Sequence, residues 1–232
     1  MISIIIPTYN EEGLIQKTLA RLNELRSEAD FEIIVSDGCS NDKTVELIHG
    51  LTKVIRSNKG KGKQLNAGAE HAKGDILFFV HADMYVPNGA LKIINGAIHE
   101  DGFDGGGFLN IFNIHHNKIK ILGRIMHLGL SKKGQAERKI FYGDNGIFVR
   151  REIFEQMGGF KEISIMEDYD FSMRMRSQFK VCLIAEPKLV VDARRHIKDG
   201  FLKTRLKWMV IKWLYLLGFS PNKLNELYDD IR

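Results

Sequence analysis

An α/β fold with a mostly parallel central sheet is the architecture that the sequence predicts, and three observations predict it. Short apolar runs rich in β-branched and aromatic residues alternate with helical patterns through the first hundred residues, as in buried strands joined by helices. The repeated strand–helix–strand order implies right-handed crossovers within one sheet. The chain has 232 residues, 44% of them hydrophobic, which suits one such domain with a modest appendage.

The first half of the chain supplies the parallel strands and their helices. The predicted strands cover residues 3–7, 32–36, 53–56 and 75–80. Apolar residues at helical spacing predict a first helix between the first two strands, with Asn10 as its N-cap. Two further helices are expected over residues 42–50 and 62–73.

The second half is less regular. Gly105 to Gly107 are expected to form a flexible bend before a strand at FLNIF, and residues 113–141 are expected to form a helix and a mobile loop. Strand, helix and strand signals then follow in GIFVRREIF, MEDYDFSMRMRSQF, VCLIA and LVVDA. No linker-like composition precedes residue 197, so we expect one domain over residues 1–197 and a helical extension over 198–232.

Polar residues come directly after each predicted strand. Parallel sheets bind ligands at the carboxyl ends of their strands, which makes these residues the candidates for a site. They are Thr8, Tyr9, Asn10, Glu11, Asp37, Gly38, Lys59, Lys61, His81 and Asp83.

The segment ILFFVHADM ends a buried strand on His81 and Asp83. A carboxylate at such a strand end suits a hard divalent cation such as Mg²⁺ or Mn²⁺. His81 is a weaker candidate ligand, because its side chain would point to the same side as Asp83 only if the strand continued. The alternatives are a turn residue or helix cap for Asp83 and a structural hydrogen-bonding role for His81.

Two other segments suggest an anion or nucleotide site. Asp37 in the Asp-Gly pair is either a turn residue or an acceptor for a nucleobase or ribose. The stretch SNKGKGKQ places glycines among lysines before a helix, which favours either a phosphate site or a solvated basic loop. The spacing of an NTPase phosphate loop and that of a nicotinamide-type Rossmann motif are both absent.

MEDYDF places three carboxylates within four residues at a predicted helix start. One interpretation is that Glu167 and Asp168 simply interact with the helix dipole. The other is that Asp168 is a general base near a substrate hydroxyl.

Composition excludes few classes of function. Cys39 and Cys182 have no metal-binding spacing and fit two free thiols. The start MISIIIP lacks a basic region and is not expected to be a secretory signal, and no apolar run is long enough to span a bilayer. The net charge of +5 fits several kinds of anionic partner. We expect a cytoplasmic protein, with peripheral contact to the inner face of the membrane as an option.

Five motifs in sequence order together resemble glycosyltransferase family 2, the inverting transferases with the GT-A fold, a Rossmann-like α/β/α sandwich. They are IPTYNEE, VSDGCSNDKT, KGKQLNAG, HAD at the position of the family's D-x-D motif, and GDNGIFVRREIFEQMGGF followed by MEDYDF. The resemblance runs from Ile4 to about Gly200. His81 replaces the first Asp of D-x-D, and Lys61 stands where an arginine is common, which keeps the charge but loses the bidentate fork.

The resemblance implies a role for each matched residue. Asp83 would hold Mn²⁺ or Mg²⁺, with His81 as a weaker ligand, and Asp168 would be the catalytic base beside Glu167. The acceptor side would include Gly143, Asp144 and Asn145. The nucleotide site would be lined by Pro7, Thr8, Tyr9, Glu11, Asp37, Lys61 and Ala82.

The implied reaction is transfer of one sugar from a nucleotide-diphosphate donor, a UDP-sugar above all, with inversion at the anomeric carbon. The acceptor would be a glycan, a lipid-linked molecule or a small molecule, and no nucleic acid is expected as a partner. Arg194-Arg195-His196 lies near where processive members carry Gln-x-x-Arg-Trp, and the motif's absence argues against polymerisation. The alternatives are a sugar nucleotidyltransferase and a non-catalytic nucleotide-sugar-binding or membrane-associated module.

The segment FLKTRLKWMVIKWLYLLGF predicts a helix that is apolar on more than one face and carries several basic residues. It could pack on the domain, form a homodimer or lie in a membrane interface. We favour packing or dimerisation over membrane contact.

Overall fold

The computed structural model describes residues 1–113, 140–192 and 201–228. Within these ranges eight strands form one sheet in the order β3-β2-β1-β4-β7-β6-β8-β5. The strands are β1 (Ile2–Thr8), β2 (Phe31–Asp37), β3 (Lys53–Arg56), β4 (Ile76–Phe79), β5 (Met84–Tyr85), β6 (Gly105–Asn113), β7 (Phe148–Arg150) and β8 (Val181–Asp192). The helices are α1 (Ile15–Asn23), α2 (Thr44–Ile48), α3 (Lys61–Glu70), α4 (Ala90–His99), α5 (Arg151–Gln156), α6 (Glu167–Gln178), α7 (Phe201–Leu216) and α8 (Pro221–Leu227), with 3₁₀ turns at Glu24–Ser27 and Gly143–Asn145.

The first four strands form the parallel half of the sheet. β1 pairs in parallel with β2 on one side and with β4 on the other, and β2 pairs with β3. Each predicted strand agrees with the structure to within one residue at either end. Because helices cover both faces of this half, its inner strands are buried on both sides and read as continuous apolar runs.

The remaining strands form a mixed half. β7 runs antiparallel to both β4 and β6, β6 pairs in parallel with β8, and β8 pairs antiparallel with β5. The predicted α/β class is confirmed. The short β7 joins the parallel half of the sheet to its mixed half.

The glycines at 105–107 lie inside β6, so the predicted flexible bend is wrong. They are glycines because neighbouring groups leave no room for a side chain. A Cβ at Gly106 would lie 2.3 Å from the carbonyl oxygen of Cys182, and a Cβ at Gly107 would lie 2.6 Å from the Phe141 ring. Close packing across the sheet, rather than flexibility, therefore explains the triplet.

Two hydrophobic cores lie on opposite faces of the sheet. Alternate residues of β1 point to opposite faces, with Ile4 in one core and Ile5 in the other. The first core also contains residues of α1 and α4, and the second contains residues of α3, α5 and α6. The molecule is thus a three-layered α/β/α sandwich.

The first helix starts later than predicted. Asn10 was expected to cap it, but α1 begins at Ile15 and Asn10 has a positive φ of 55° in the preceding loop. The side chain of Asn10 instead accepts a hydrogen bond from the backbone N–H of Asn41 at 3.0 Å. A contact to a distant loop has replaced the local cap.

The C-terminal helices α7 and α8 pack on the start of α6. Ile211 and Leu224 are buried against Ile165, Met166 and Tyr169. Among the described residues, no helix is long and apolar enough to cross a membrane. The predicted boundary at residue 197, the Arg194-Arg195-His196 segment and nearly all of the predicted loop over 113–141 lie outside the described residues.

Candidate active site

A cleft of about 320 Å³, partly open to solvent, lies at the carboxyl ends of β1 and β4. The first turn of α3 contributes Lys61 to its wall. Of the residues that the sequence predicts for nucleotide binding, all but Asp37 line this cleft, and both predicted metal ligands line it too. The lining is Pro7, Thr8, Tyr9, Glu11, Lys61, Gln64, His81, Ala82 and Asp83.

Asp37 lies beside the cleft wall rather than in it. Its buried carboxylate accepts hydrogen bonds from the Thr8 hydroxyl at 3.0 Å, the Ser40 hydroxyl at 2.6 Å and the Ser40 N–H at 2.8 Å. These bonds tie the end of β1 to the loop after β2. In this structure Asp37 therefore fixes the loop after β2 against the end of β1.

The loops after β1 and β2 interlock through reciprocal hydrogen bonds. The N–H of Glu11 donates to the Thr44 hydroxyl at 2.7 Å, and the N–H of Glu12 donates to Asp42 at 3.2 Å. In the other direction, the N–H of Lys43 donates to Glu12 at 3.0 Å. The backbone next to Tyr9 and Glu11 is thereby fixed relative to the sheet.

Gln64 is a residue that sequence reasoning missed. It lies on the buried face of α3, only 2% exposed, and its amide donates to the carbonyls of Thr8 at 2.6 Å and Ser36 at 3.1 Å. It links the carboxyl ends of β1 and β2. The signal in the sequence was a polar residue among the small residues of the helix. The structure shows that this helix lies close to the sheet, since a Cβ at Gly68 would lie 2.4 Å from Ile5.

The HAD segment leaves the sheet as a tight turn. β4 ends at Phe79, so the strand does not persist to residue 83. The turn is held by the Thr18 hydroxyl, which donates to the Ala82 carbonyl at 2.5 Å, and by the N–H of Asp192, which donates to the Asp83 carbonyl at 3.0 Å. His81 and Asp83 line the same cleft although they are not on one strand.

Lys61 connects the cleft to the acidic pair at the start of α6. Its ammonium nitrogen lies 3.5 Å from a carboxylate oxygen of Glu167, which is 5% exposed. Burial raises the pKa of Glu167, the charge of Lys61 opposes that rise, and the negative charge of Asp168 adds to it. Two segments more than a hundred residues apart in sequence thus meet at this point.

Asp168 and His81 meet at Gly143. The N–H of Gly143 donates to Oδ2 of Asp168 at 2.6 Å. A Cβ on Gly143 would lie 2.5 Å from Cε1 and 2.7 Å from Nε2 of His81, and 3.2 Å from the same Asp168 oxygen. Only a glycine lets the imidazole, the carboxylate and the 143–145 turn come together in this way.

Asp144 and Asn145 complete the 143–145 turn. Asn145 is buried, and its amide donates to the Phe108 carbonyl at 2.9 Å. Asp144 is half-buried. Burial and the negative charges of Asp168 and Asp83 raise its pKa to about 6, against the opposing effects of a 2.8 Å hydrogen bond from Asn110 and the charge of Lys61.

The donor set of the site fits a divalent cation. The described residues contain no cluster of three or more His, Cys, Asp or Glu side chains arranged as ready ligands. However, Asp83 and His81 face one cleft, and the charges of Asp83 and Asp168 both act on Asp144. A carboxylate such as Asp83 suits Mg²⁺ or Mn²⁺ when a ligand phosphate supplies further oxygens.

Comparison with known proteins identifies the family. Residues 3–158 match the model of "Glycosyl transferase family 2", and the chain belongs to that family. A relative from Methanococcus voltae is 30% identical over an alignment of 257 residues, gaps included. The alignment covers 94% of this chain and 78% of the relative. The relative is named a dolichyl N-acetyl-alpha-D-glucosaminyl phosphate 3-beta-D-2,3-diacetamido-2,3-dideoxy-beta-D-glucuronosyltransferase. Relatives from Haemophilus influenzae and Bacillus subtilis, named as an uncharacterized and a probable glycosyltransferase, are longer, and the chain covers 62% and 46% of their lengths.

Solved structures share the fold. Staphylococcus aureus TarS in complex with UDP has a TM-score of 0.66 and 21% identity over 82% of this chain and 60% of that one. A Pyrobaculum calidifontis mannosyltransferase in complex with GDP-Man and Mn²⁺ has a TM-score of 0.61 and 21% identity over 82% of this chain and 56% of that one. The predicted GT-A architecture is confirmed.

Proposed function

We propose that the chain transfers a single sugar, with inversion, from a nucleotide-diphosphate sugar to an acceptor hydroxyl. One observation carries the proposal. The cleft lined by all the predicted nucleotide-binding residues except Asp37 is joined to the predicted base, Asp168, through the contact between Lys61 and the neighbouring Glu167. Membership of the family supports the reaction class, and the UDP and UDP-GlcNAc complexes of TarS support UDP as the nucleotide.

The donor diphosphate would bind at the first turn of α3. Lys61 supplies positive charge there, and the helix N-terminus adds a favourable potential for an anion. The negative charge that develops on the departing diphosphate would be neutralised by these groups. The interlocked loops around Tyr9 and Glu11 offer a rigid wall for the nucleoside.

A divalent cation would be held by Asp83, with His81 beside it. The Mn²⁺ complex of the Pyrobaculum mannosyltransferase supports such a cation in a related fold. When bound, the metal would supply charge neutralisation for the diphosphate. His81 in place of a carboxylate removes one negative charge from the site, so we expect weaker metal binding than two carboxylates would give.

Asp168 would accept the proton from the acceptor hydroxyl as that oxygen attacks the anomeric carbon. The N–H of Gly143 holds one carboxylate oxygen at 2.6 Å, which fixes the direction in which Asp168 points. Glu167 would position Lys61. General-base assistance of this kind typically contributes about 10²–10⁴-fold to the rate.

The 143–145 turn would form part of the acceptor side. Asn145 anchors the turn to β6, and Gly143 and Asp144 lie next to Asp168. The acceptor class stays as the sequence predicts it: a glycan, a lipid-linked molecule or a small molecule, modified once without processive extension.

Calorimetric titration with UDP, with and without Mn²⁺, tests the site. We expect metal-dependent binding by the wild type, and its loss in Asp83→Ala. Asp101→Ala, an exposed aspartate in the turn after α4, is the matched control and should bind like the wild type. Absence of UDP binding with any divalent metal would contradict the UDP assignment, and equal binding by Asp83→Ala would contradict the role of Asp83.

A further inference from the structure

The helices α7 and α8 form a hairpin at the C-terminal end of the described chain. Gly218, with a positive φ of 85°, and Phe219 lie in the turn between them. The inner side of the hairpin is well packed: Ile211 is 1% exposed and Leu224 is fully buried. The hairpin is therefore attached to the domain by an apolar face of its own.

The outer side of the hairpin is also apolar, yet it is exposed. Trp213 is 62% exposed and Leu217 is 71% exposed, and both lie near the turn with Leu216 and Phe219. We call these four residues the hairpin tip. Further exposed apolar residues extend along the hairpin, namely Leu206, Met209, Val210 and Leu227. A contiguous exposed surface of large apolar side chains marks an interaction site in a folded protein.

The hairpin carries many more basic than acidic residues. α7 contains four basic residues, Lys203, Arg205, Lys207 and Lys212, and no acidic residue. Over residues 201–228 the sequence adds Lys223 and Glu226, so five basic and one acidic residue give a net charge of +4. The whole chain has a net charge of +5, so most of its excess positive charge lies in this one element.

We infer that the hairpin tip docks on an anionic lipid surface. Exposed aromatic and aliphatic side chains on an element whose sequence also carries several basic residues are a combination that binds in the interfacial layer of a membrane. Each basic residue close to an anionic surface strengthens the attraction, and the apolar tip gains from leaving water. The exposed apolar patch and the positive charge thus have one common partner.

A second copy of the chain fits this surface less well. A two-fold symmetric dimer brings the same patch of both subunits together, so two hairpins of net charge +4 would face each other. Like charges across an interface oppose association. Anionic headgroups supply the complementary charge that a second copy lacks.

Docking would also orient the candidate active site. The Tyr215 hydroxyl donates to Asp170 at 3.2 Å, and Ser164 is 3.0 Å from Asn222. The hairpin therefore rests on the segment that leads into α6 and Asp168. Lipid binding itself does not depend on the transferase activity, so the two proposals can fail separately.

Vesicle sedimentation of the full chain tests the inference. We expect the wild type to bind vesicles that contain phosphatidylglycerol, to bind pure phosphatidylcholine much more weakly, and to be released by salt. The triple variant Trp213→Gln/Leu217→Gln/Phe219→Gln should lower the partition coefficient by at least about 100-fold, because three large apolar side chains no longer enter the interface. Leu51→Gln, which removes an exposed leucine far along the sequence from the hairpin, is the matched control and should bind like the wild type.

Tryptophan fluorescence provides a second measurement that needs no disruptive variant. Trp208 packs on Tyr228 with ring centroids 4.9 Å apart, whereas Trp213 is exposed. A blue shift on adding anionic vesicles should therefore disappear in Trp213→Phe while sedimentation persists. Failure of the wild type to bind anionic vesicles, equal binding to both lipids, or unchanged binding by the triple variant would overturn the inference. A wild-type dimer in light scattering that the triple variant converts to a monomer would assign the surface to a second copy instead.

Discussion

The substitution Gly143→Ala tests the meeting point of His81 and Asp168. The added Cβ would lie 2.5 Å from Cε1 of the His81 ring, and ordinary contact begins near 3.4 Å. The imidazole and the turn must therefore separate by about 0.9 Å, the difference between those two distances. Because Asp168 accepts the N–H of Gly143, a shift of the turn moves the proposed base as well.

A displacement of about 1 Å at a reacting group costs on the order of 100-fold in rate. We expect Gly143→Ala to lose about that factor in turnover of a UDP-sugar. Gly96→Ala is the control: its Cβ would meet Glu100 at an unstrained 3.8 Å, and its turnover should equal that of the wild type.

Thermal unfolding of the double variant Gly143→Ala/His81→Ala completes the test. Removal of the imidazole makes room for the new methyl group, so the destabilisation of the double variant should be smaller than the sum of the single variants. Coupled neighbours typically differ from additivity by about 0.5–3 kcal/mol. Additive losses, or wild-type turnover in Gly143→Ala, would refute the reasoning.

Two further predictions concern stability. Gln64→Leu should lower the free energy of unfolding by about 1–3 kcal/mol, because it removes two buried hydrogen bonds, from the Gln64 amide to the carbonyls of Thr8 and Ser36. The Thr8 carbonyl keeps its bond from the Gly38 N–H. Urea titration measures the loss, and an unchanged midpoint at constant m would count against it. Burial alone would raise the pKa of Asp170. The hydrogen bonds that Lys161 and Arg174 donate to its carboxylate bring that pKa below its ordinary value. The stabilisation from Asp170 is therefore present above about pH 4 and is lost as the pH falls further. Asp170→Asn should be less stable than the wild type at pH 7 by about 2 kcal/mol and should lose less stability on acidification, and parallel pH profiles for the two proteins would contradict the assignment.

Parts of the fold were predictable because local sequence and tertiary environment agree. The strands β1, β2 and β4 are almost entirely buried, so their apolar runs begin and end close to where the strands do. The start of α1 could not be predicted from local signals, because Asn10 contacts Asn41 in another loop. The glycines of β6 were misinterpreted for the same kind of reason, since the group that excludes a side chain at Gly106 belongs to Cys182, seventy-six positions later in the sequence.

The site was predictable to a similar extent. The rule that ligands bind at strand ends, together with the family motifs, selected residues that the structure gathers around one cleft. Their catalytic roles remain predictions. Gln64 escaped detection because its significance lies in two backbone carbonyls of other strands, which no spacing in the sequence reveals. The Lys61–Glu167 contact likewise depends on how α3 and α6 pack together.

The stereochemistry of donor turnover is the most direct test of the central claim. Proton NMR can follow the sugar released by the wild type from a panel of UDP- and GDP-α-sugars with Mn²⁺, before mutarotation equilibrates the anomers. An inverting transferase with Asp168 as its base should release the β-anomer first, and Asp168→Asn should turn over about 10²–10⁴-fold more slowly. Initial release of the α-anomer, an undiminished rate in Asp168→Asn, or no release from any donor would contradict it.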